Sequence, residues 1–306
     1  MYNYFGLALL PILSHLTMSP FDISLGLEDT HVVITGGAGL IGGVVVKAFL
    51  SAGAKVSVFD KSFSTIWDYA PGTNPTQPTC INICCDISSE ASVEAAFKAA
   101  QAAFGTPACC IALAALDLSV LEHHDSLADM SLEQWKRTLE VNLTGTFLIA
   151  RTWLRILRNS ERARTKDRAP PSNVSLIIVG SESGHFGERS NPDYATTKAG
   201  VQYGLLQSLK ADVPRVCPGA RVNAIAPGPV DTTRFREECA ANPKQRWVDA
   251  AATTASGKPV SVDDVARSIL FLASERFSGS VHGQVLNVDG GKQGKVMWMP
   301  DEKLPE

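Results

Sequence analysis

Residues 31–42 read His31-Val32-Val33-Ile34-Thr35-Gly36-Gly37-Ala38-Gly39-Leu40-Ile41-Gly42. The apolar run 31–34 has the length of a buried strand, and it empties directly into a glycine-rich turn. Gly37, Gly39 and Gly42 satisfy G-x-G-x-x-G, and a helical pattern over 44–52 follows and stops at Gly53. In that strand-turn-helix setting the glycines let backbone approach a pyrophosphate while the helix amino terminus meets its charge. A parallel sheet that binds a dinucleotide is the expectation.

Working outward, 55–59 is the second strand and ends in Asp60. A carboxylate there accepts hydrogen bonds from both hydroxyls of an adenosine ribose and repels a 2′-phosphate, which favours NAD. Lys61 follows at once and is placed to reach a phosphate, so NADP stays open. Residues 61–79 carry Pro71, Gly72, Pro75 and Pro78 and read as a loop. Strand three, 80–85, ends in Asp86-Ile87, which suits either the flank of an adenine or a plain turn. Ser88 and Ser89 open an alanine-rich helix ending near Gly105. Strand four, 108–113, runs into Ala114-Ala115-Leu116, and a polar loop with the surface residues His123 and His124 follows.

Ser131-Leu132-Glu133-Gln134 is a capping box for a long helix carrying Trp135, Leu139, Asn142 and Phe147. Asn142 falls in an apolar segment, where a buried amide needs partners. Residues 155–168 are basic without interleaved aromatics and are expected as a solvated loop.

The apolar run 174–179 is a fifth strand, emptying into Gly180-Ser181-Glu182-Ser183-Gly184. A hydroxyl at that carboxyl end can donate to a substrate oxygen. Pro192 then opens a helix whose apolar positions Val201, Leu205, Leu206 and Leu209 recur at helical spacing. Tyr194 and Lys198 lie one turn apart on one face. An ammonium near a phenol is expected to lower the tyrosine pKa from its usual value of about 10, giving a poised acid/base.

Strand six, 221–226, ends in the rigid turn Pro227-Gly228-Pro229-Val230-Asp231-Thr232. Residues 233–257, with Arg234, Phe235, Arg236 and Trp247, lack a strong pattern and are expected as a lid; Arg234, Arg236, Trp247 and His185 are candidates for the substrate pocket. Ser261 opens another helix, and strand seven, 284–288, precedes Asp289-Gly290-Gly291.

Strands and helices alternate with no repeat and no convincing boundary. The expected fold is therefore α/β: a single-domain, Rossmann-like, doubly wound sheet of seven parallel strands over 21–292, with an extension over 1–20 and a tail over 293–306. The 306 residues, 45% hydrophobic, suit one large domain, and the net charge of −3 points to neither nucleic acid nor anionic membrane as a partner. The apolar stretch 5–13 is too short to span a membrane and lacks a signal peptide's basic start. The seven cysteines are an odd number with two adjacent pairs; they suit neither a metal site nor a disulfide framework and are expected as buried, reduced thiols of a cytoplasmic protein.

Taken together, Thr35 to Gly42, Asp86, Asn142, Ser181, Tyr194, Lys198 and Pro227 to Thr232 stand in the order and approximate spacing of the short-chain dehydrogenases/reductases, and from about Phe21 to Lys292 the chain resembles that family. The resemblance implies a catalytic tetrad of Asn142, Ser181, Tyr194 and Lys198. Tyr194 moves the hydroxyl proton, Ser181 orients the carbonyl oxygen, Lys198 binds the nicotinamide ribose and tunes Tyr194, and Asn142 holds a water linking Lys198 to solvent. It places NAD, or NADP, against Gly36, Gly37, Gly39, Leu40, Ile41, Gly42, Asp60, Lys61, Asp86, Ile87, Ala114, Asn142, Tyr194, Lys198, Pro227, Gly228, Val230 and Thr232, with no metal. The implied activity interconverts a secondary alcohol and a ketone, and the implied assembly is a homodimer or homotetramer.

Two features depart from the pattern. The glycine spacing Thr-Gly-x-x-Gly-x-x-Gly is more usual in nucleotide-sugar epimerases and dehydratases, which keeps open an enzyme that uses bound NAD without net redox. The usual Asn-Ala-Gly after strand four is Leu113-Ala114-Ala115 here, which leaves a non-catalytic dinucleotide sensor as a third reading.

Overall fold

The structure is a computed structural model, and it describes residues 22–63, 78–165 and 171–296. The expected extension over 1–20, most of the loop over 61–79 and most of the tail over 293–306 lie outside the described residues.

Among the described residues seven strands form one parallel sheet: β1 (His31–Thr35), β2 (Lys55–Asp60), β3 (Cys80–Cys84), β4 (Cys109–Ala112), β5 (Ser175–Val179), β6 (Arg221–Pro227) and β7 (Val285–Val288), in the order β3-β2-β1-β4-β5-β6-β7. The order reverses between β1 and β4, which is where a doubly wound sheet opens a crevice outside its carboxyl ends. β1, β4, β5 and β6 are buried along their whole length. Helices therefore cover both faces.

On one face α2 (Glu90–Phe104), α4 (Thr146–Ala163) and α7 (Leu206–Val216) bury Phe97, Trp153, Leu157, Leu206 and Leu209 against β4 and β5. On the other, α1 (Leu40–Ser51) and α9 (Val262–Ala273) bury Val45, Val46, Phe49, Ile269 and Leu272. Starts follow side-chain chemistry: Ser89, Ser131 and Ser261 accept hydrogen bonds from Ser92, Gln134 and Asp263 backbone N–H, the second opening α3 (Leu132–Thr138). One end is capped by a distant arginine, because buried Arg221 donates to the carbonyls of Leu272, Ala273 and Ser278 at 2.8–3.1 Å.

Three expectations need correction. Residues 155–163 are not loop but the last turns of α4, because Leu148, Ile149, Trp153 and Leu157 supply an inward stripe while Arg151 and Arg155 reach Glu90 and Glu94 on the solvent side at 2.5 and 3.3 Å. The stretch 233–257 is partly helical, with α8 (Thr233–Ala241) capped by Thr232 and a wide π-type turn over Trp247–Ala251. Among the nine residues of α8 only Phe235 is buried, so no apolar stripe announces it. Lastly, Cys84 is exposed and Cys80 and Cys239 are half-buried, so not all thiols are interior.

Candidate active site

The turn after β1 is built by close backbone approach. A Cβ on Gly42 would sit 2.0 Å from the Gly36 carbonyl oxygen, and one on Gly37 would sit 2.6 Å from Val58. Gly36 has φ +70° and would meet Ala114 Cα at 2.8 Å, so it needs glycine on both counts. Asp60 closes the turn from β2, its Oδ2 accepting the Ala38 N–H at 3.0 Å. Thr35 closes it from beneath: its Oγ1 accepts the Leu113 and Ala114 N–H groups at 3.0 and 3.1 Å. Here the Leu113-Ala114-Ala115 departure finds its compensation, since the backbone after β4 is satisfied without an asparagine side chain. The cradle, the free start of α1 and the carboxylate of Asp60 fit a dinucleotide. A cleft of about 650 Å³ lies alongside, lined by Leu40 and by Thr233, Arg234, Glu237, Glu238 and Ala241 of α8.

Tyr194 and Lys198 sit on α6 (Pro192–Ala199), which Pro192 opens as its fixed φ suits. Both side chains are buried, and the Ser181 side chain stands close enough to that of Tyr194 to act on its pKa. Lys198 Nζ lies 5.5 Å from the phenol ring centroid and donates to the Val179 carbonyl at 2.9 Å. The expected direction of the tyrosine shift is reversed. Burial, followed by the carboxylates of Asp117, Glu182 and Glu188, holds Tyr194 above the usual phenol range, with Ser181 acting the other way. Burial likewise draws Lys198 down to about 8. The ammonium is spent on a backbone carbonyl at β5 rather than on the phenol oxygen.

Asn142 lies in a π-type segment, Leu139–Gly145, between α3 and α4. Its Oδ1 accepts the Leu116 N–H at 2.7 Å and its Nδ2 donates to the Leu116 carbonyl at 2.9 Å. The side chain thus holds the chain after β4 on both its polar groups. Asp193, fully buried, joins α6 to α3 by accepting from Thr138 Oγ1 at 2.6 Å.

The loop after β5 holds a pair that sequence reasoning missed. Glu182 and Lys292 meet at 3.1 Å with side chains 16% and 12% exposed, and Lys292 also donates to the Asp249 carbonyl of the π-type turn at 2.9 Å. Burial raises the Glu182 carboxyl to about 7 in spite of Lys292. Gln202 was missed too: fully buried, it accepts the Ser181 N–H on its Oε1 at 2.7 Å. Its signal in the sequence is position, four residues past Lys198 in the row that already holds Tyr194.

The other expected residues divide. Lys61 pairs with Asp86 at 2.9 Å. Asp86 takes the turn role, with Oδ1 accepting from Ser88 N and Oγ at 3.0 and 2.6 Å; Ser88 first and Lys61 second hold its pKa down. Ile87 is buried under Gly145. Gly228, packed on Asp289, and Val230, bridged to Val260, lead the chain from β6 to Thr232 and α8. Arg234 lines the cleft and donates to the Ser119 carbonyl, whereas Arg236 is held by both oxygens of Asp231 at 2.9 Å. His185 pairs with Tyr203.

With that geometry in hand, the comparisons are consistent. A family model described as enoyl-(acyl carrier protein) reductase matches residues 37–293. The chain is 30% identical to the cis-4-hydroxycyclohexanecarboxylate dehydrogenase of Sinomonas cyclohexanicum, over 85% of this chain and 94% of that one. It is 30% identical to short-chain dehydrogenase reductase 3a of Arabidopsis thaliana, over 87% and 96%. The crystal structure of levodione reductase superposes with a TM-score of 0.71 at 24% identity, over 86% of this chain and 97% of that one. The chain belongs to the short-chain dehydrogenase/reductase family. It is an NAD(P)-dependent oxidoreductase acting on alcohol and keto groups.

Proposed function

We propose that the reaction is the interconversion of a secondary alcohol and a ketone, with Tyr194 as the acid/base. The observation that carries the reading is the meeting of Ser181, Tyr194 and Lys198 at the carboxyl edge of β5, two strands along the same edge of the sheet from the glycine cradle at the end of β1. A bound nicotinamide dinucleotide supplies or takes up the hydride. The cradle of Gly36, Gly37, Gly39 and Gly42 and the first turn of α1, with Leu40 and Ile41, would hold its pyrophosphate. Asp60 would hold its adenosine ribose, which favours NAD over NADP.

Ser181 Oγ accepts the Ser183 N–H at 3.1 Å, leaving its own proton to be donated to a substrate oxygen. Tyr194, protonated in its buried setting, gives its proton to that oxygen in the reductive direction and takes one back in the oxidative direction. Lys198 carries positive charge beside the ring and favours the phenolate as it forms. Asn142 keeps the chain after β4 in place at Leu116 rather than touching the reacting atoms. The stretch 233–257 would serve as a lid that closes over the substrate and excludes water.

Further parts of the reading are a homodimer or homotetramer, supported by Phe147 and Tyr203, which are 41% and 49% exposed on the helices that carry the site, and a cytoplasmic setting, supported by the free thiols and by the lack, among the described residues, of any helix long and apolar enough to cross a membrane.

The test is an absorbance screen at 340 nm, with NAD(H) and NADP(H) in parallel, of secondary alcohols and ketones that include cis-4-hydroxycyclohexanecarboxylate. Turnover with a preference for NAD(H) is expected, and Tyr194→Phe should lower it by about 1,000-fold or more while dinucleotide affinity changes little. A Tyr194→Phe enzyme within tenfold of the wild type would remove Tyr194 from its role.

A further inference from the structure

We infer that Gln202 is a positioning residue for Ser181, fixing the hydroxyl that orients the substrate oxygen. The inference rests on the role proposed for Ser181 and extends it to a residue that touches neither substrate nor cofactor.

Past Val179 the chain continues along β6: Gly180 N–H donates to the Ile225 carbonyl at 2.8 Å and Glu182 N–H to the Pro227 carbonyl at 2.9 Å. Because alternate amides of an extended chain point to opposite sides, the Ser181 N–H between them faces away from β6, toward β4. The β4–β5 pairing has by then ended at Ala112 opposite Ile178, so the strand offers that amide no acceptor. Gln202 Oε1 supplies one at 2.7 Å. A buried N–H left without an acceptor costs its desolvation, so the side chain substitutes for a missing strand.

Packing makes the placement specific. A Cβ on Gly180 would lie 2.3 Å from Gln202 Oε1, and one on Gly184 would lie 2.6 Å from the same atom. Both glycines are therefore the shape of a slot for this amide. The other end of the amide is turned outward, with Nε2 3.5 Å from His185 Nε2, and His185 Nδ1 meets the Tyr203 hydroxyl. An Nε2 that accepts requires the proton on Nδ1, so the pair with Tyr203 keeps the amide the right way round. Gln202 stands in the π-type segment Gly200–Leu205 that directly follows α6, so the same run of helix carries Tyr194, Lys198 and the residue that sets Ser181 against them.

The test compares Gln202→Met, which keeps the volume and removes the acceptor, with Gln202→Glu, which keeps an oxygen in its place. Two readouts are taken. Amide exchange of the segment Gly180 to Gly184, followed by mass spectrometry, reads the hydrogen bond without reference to catalysis. Turnover of NADH with the ketone reduced fastest in the screen above reads its consequence.

Gln202→Met should speed exchange at Ser181 and lower kcat by about 10- to 100-fold with NADH affinity unchanged, and Gln202→Glu should recover most of both. In a Ser181→Ala background the Gln202→Met change should alter kcat by less than about twofold, because the residue acts only through Ser181. Unchanged exchange, a Met variant at wild-type kcat, or a full and additive loss in the Ser181→Ala background would each overturn the inference. Absence of turnover in the wild type would instead count against the alcohol–ketone reading, and the exchange result would still decide the hydrogen bond.

Discussion

At the residue scale, burial outweighs pairing in the site: it holds Tyr194 above the usual phenol range, draws Lys198 down to about 8 and raises Glu182 to about 7. Tyr194 and Lys198 are legible as a pair, since their spacing alone puts them on one face, but the direction of the phenol shift is not, because it depends on burial and on Asp117, Glu182 and Glu188. Glu182 shows the same limit. Nothing in Gly180 to Gly184 indicates that a residue 110 positions later, Lys292, will close on it. Its carboxyl, raised from 4.5 to about 7, binds a proton more tightly in the folded state. The stability tied to that proton is fully present below pH 4.5 and is lost as pH rises through 7. Glu182→Gln mimics the protonated form, so the variant should match the wild type near pH 4.5 and exceed it at pH 8 by up to about 3 kcal/mol in urea unfolding. A variant less stable than the wild type at pH 8 would show the ion pair to be net favourable and the account of Glu182 wrong.

At the element scale, strands β1 to β7 were legible to within a residue or two because each is a short apolar run bounded by turn residues, and buried parallel strands leave little else to read. Helices were legible where an inward stripe exists. α8 has a cap in Thr232 but neither a stripe nor much burial, and the π-type segments at Leu139–Gly145 and Gly200–Leu205 leave no trace in hydrophobic spacing. They matter because they carry Asn142 and Gln202, each of which satisfies backbone at the end of a strand: Leu116 past β4, and Ser181 past β5. Asn142→Leu would leave the N–H and the carbonyl of Leu116 without their partner. The expected cost is roughly 2–5 kcal/mol of stability, measured by chemical denaturation, with the loss of activity tracking loosening of the chain from Ala114 to Asp117 in amide exchange. A variant as stable as the wild type would mean that water replaces the side chain at no cost.

For the whole molecule, the sheet order with its reversal between β1 and β4 brings together residues that the chain holds far apart: the glycine cradle near residue 40, Ser181, and the pair Tyr194 and Lys198. This much follows from counting alternating strands and helices. What does not follow is how the stretch 233–257 is tied down, since Lys292 to Asp249 and Arg234 to Ser119 are contacts between side chains and backbone with no local pattern. The assembly proposed from exposed Phe147 and Tyr203 should give a dimer or tetramer mass by light scattering at micromolar concentration, and a monomer would remove that part of the reading. The glycine spacing shared with epimerases leaves one question about the chemistry, whether the dinucleotide is consumed or recycled. It is answered by reducing the best ketone with NADH deuterated at the transferred position and weighing the alcohol by mass spectrometry. One deuterium on the carbinol carbon for each NADH oxidised is the predicted result; an unlabelled product, or product formed without NADH consumption, would contradict the central claim that this chain carries out net hydride transfer.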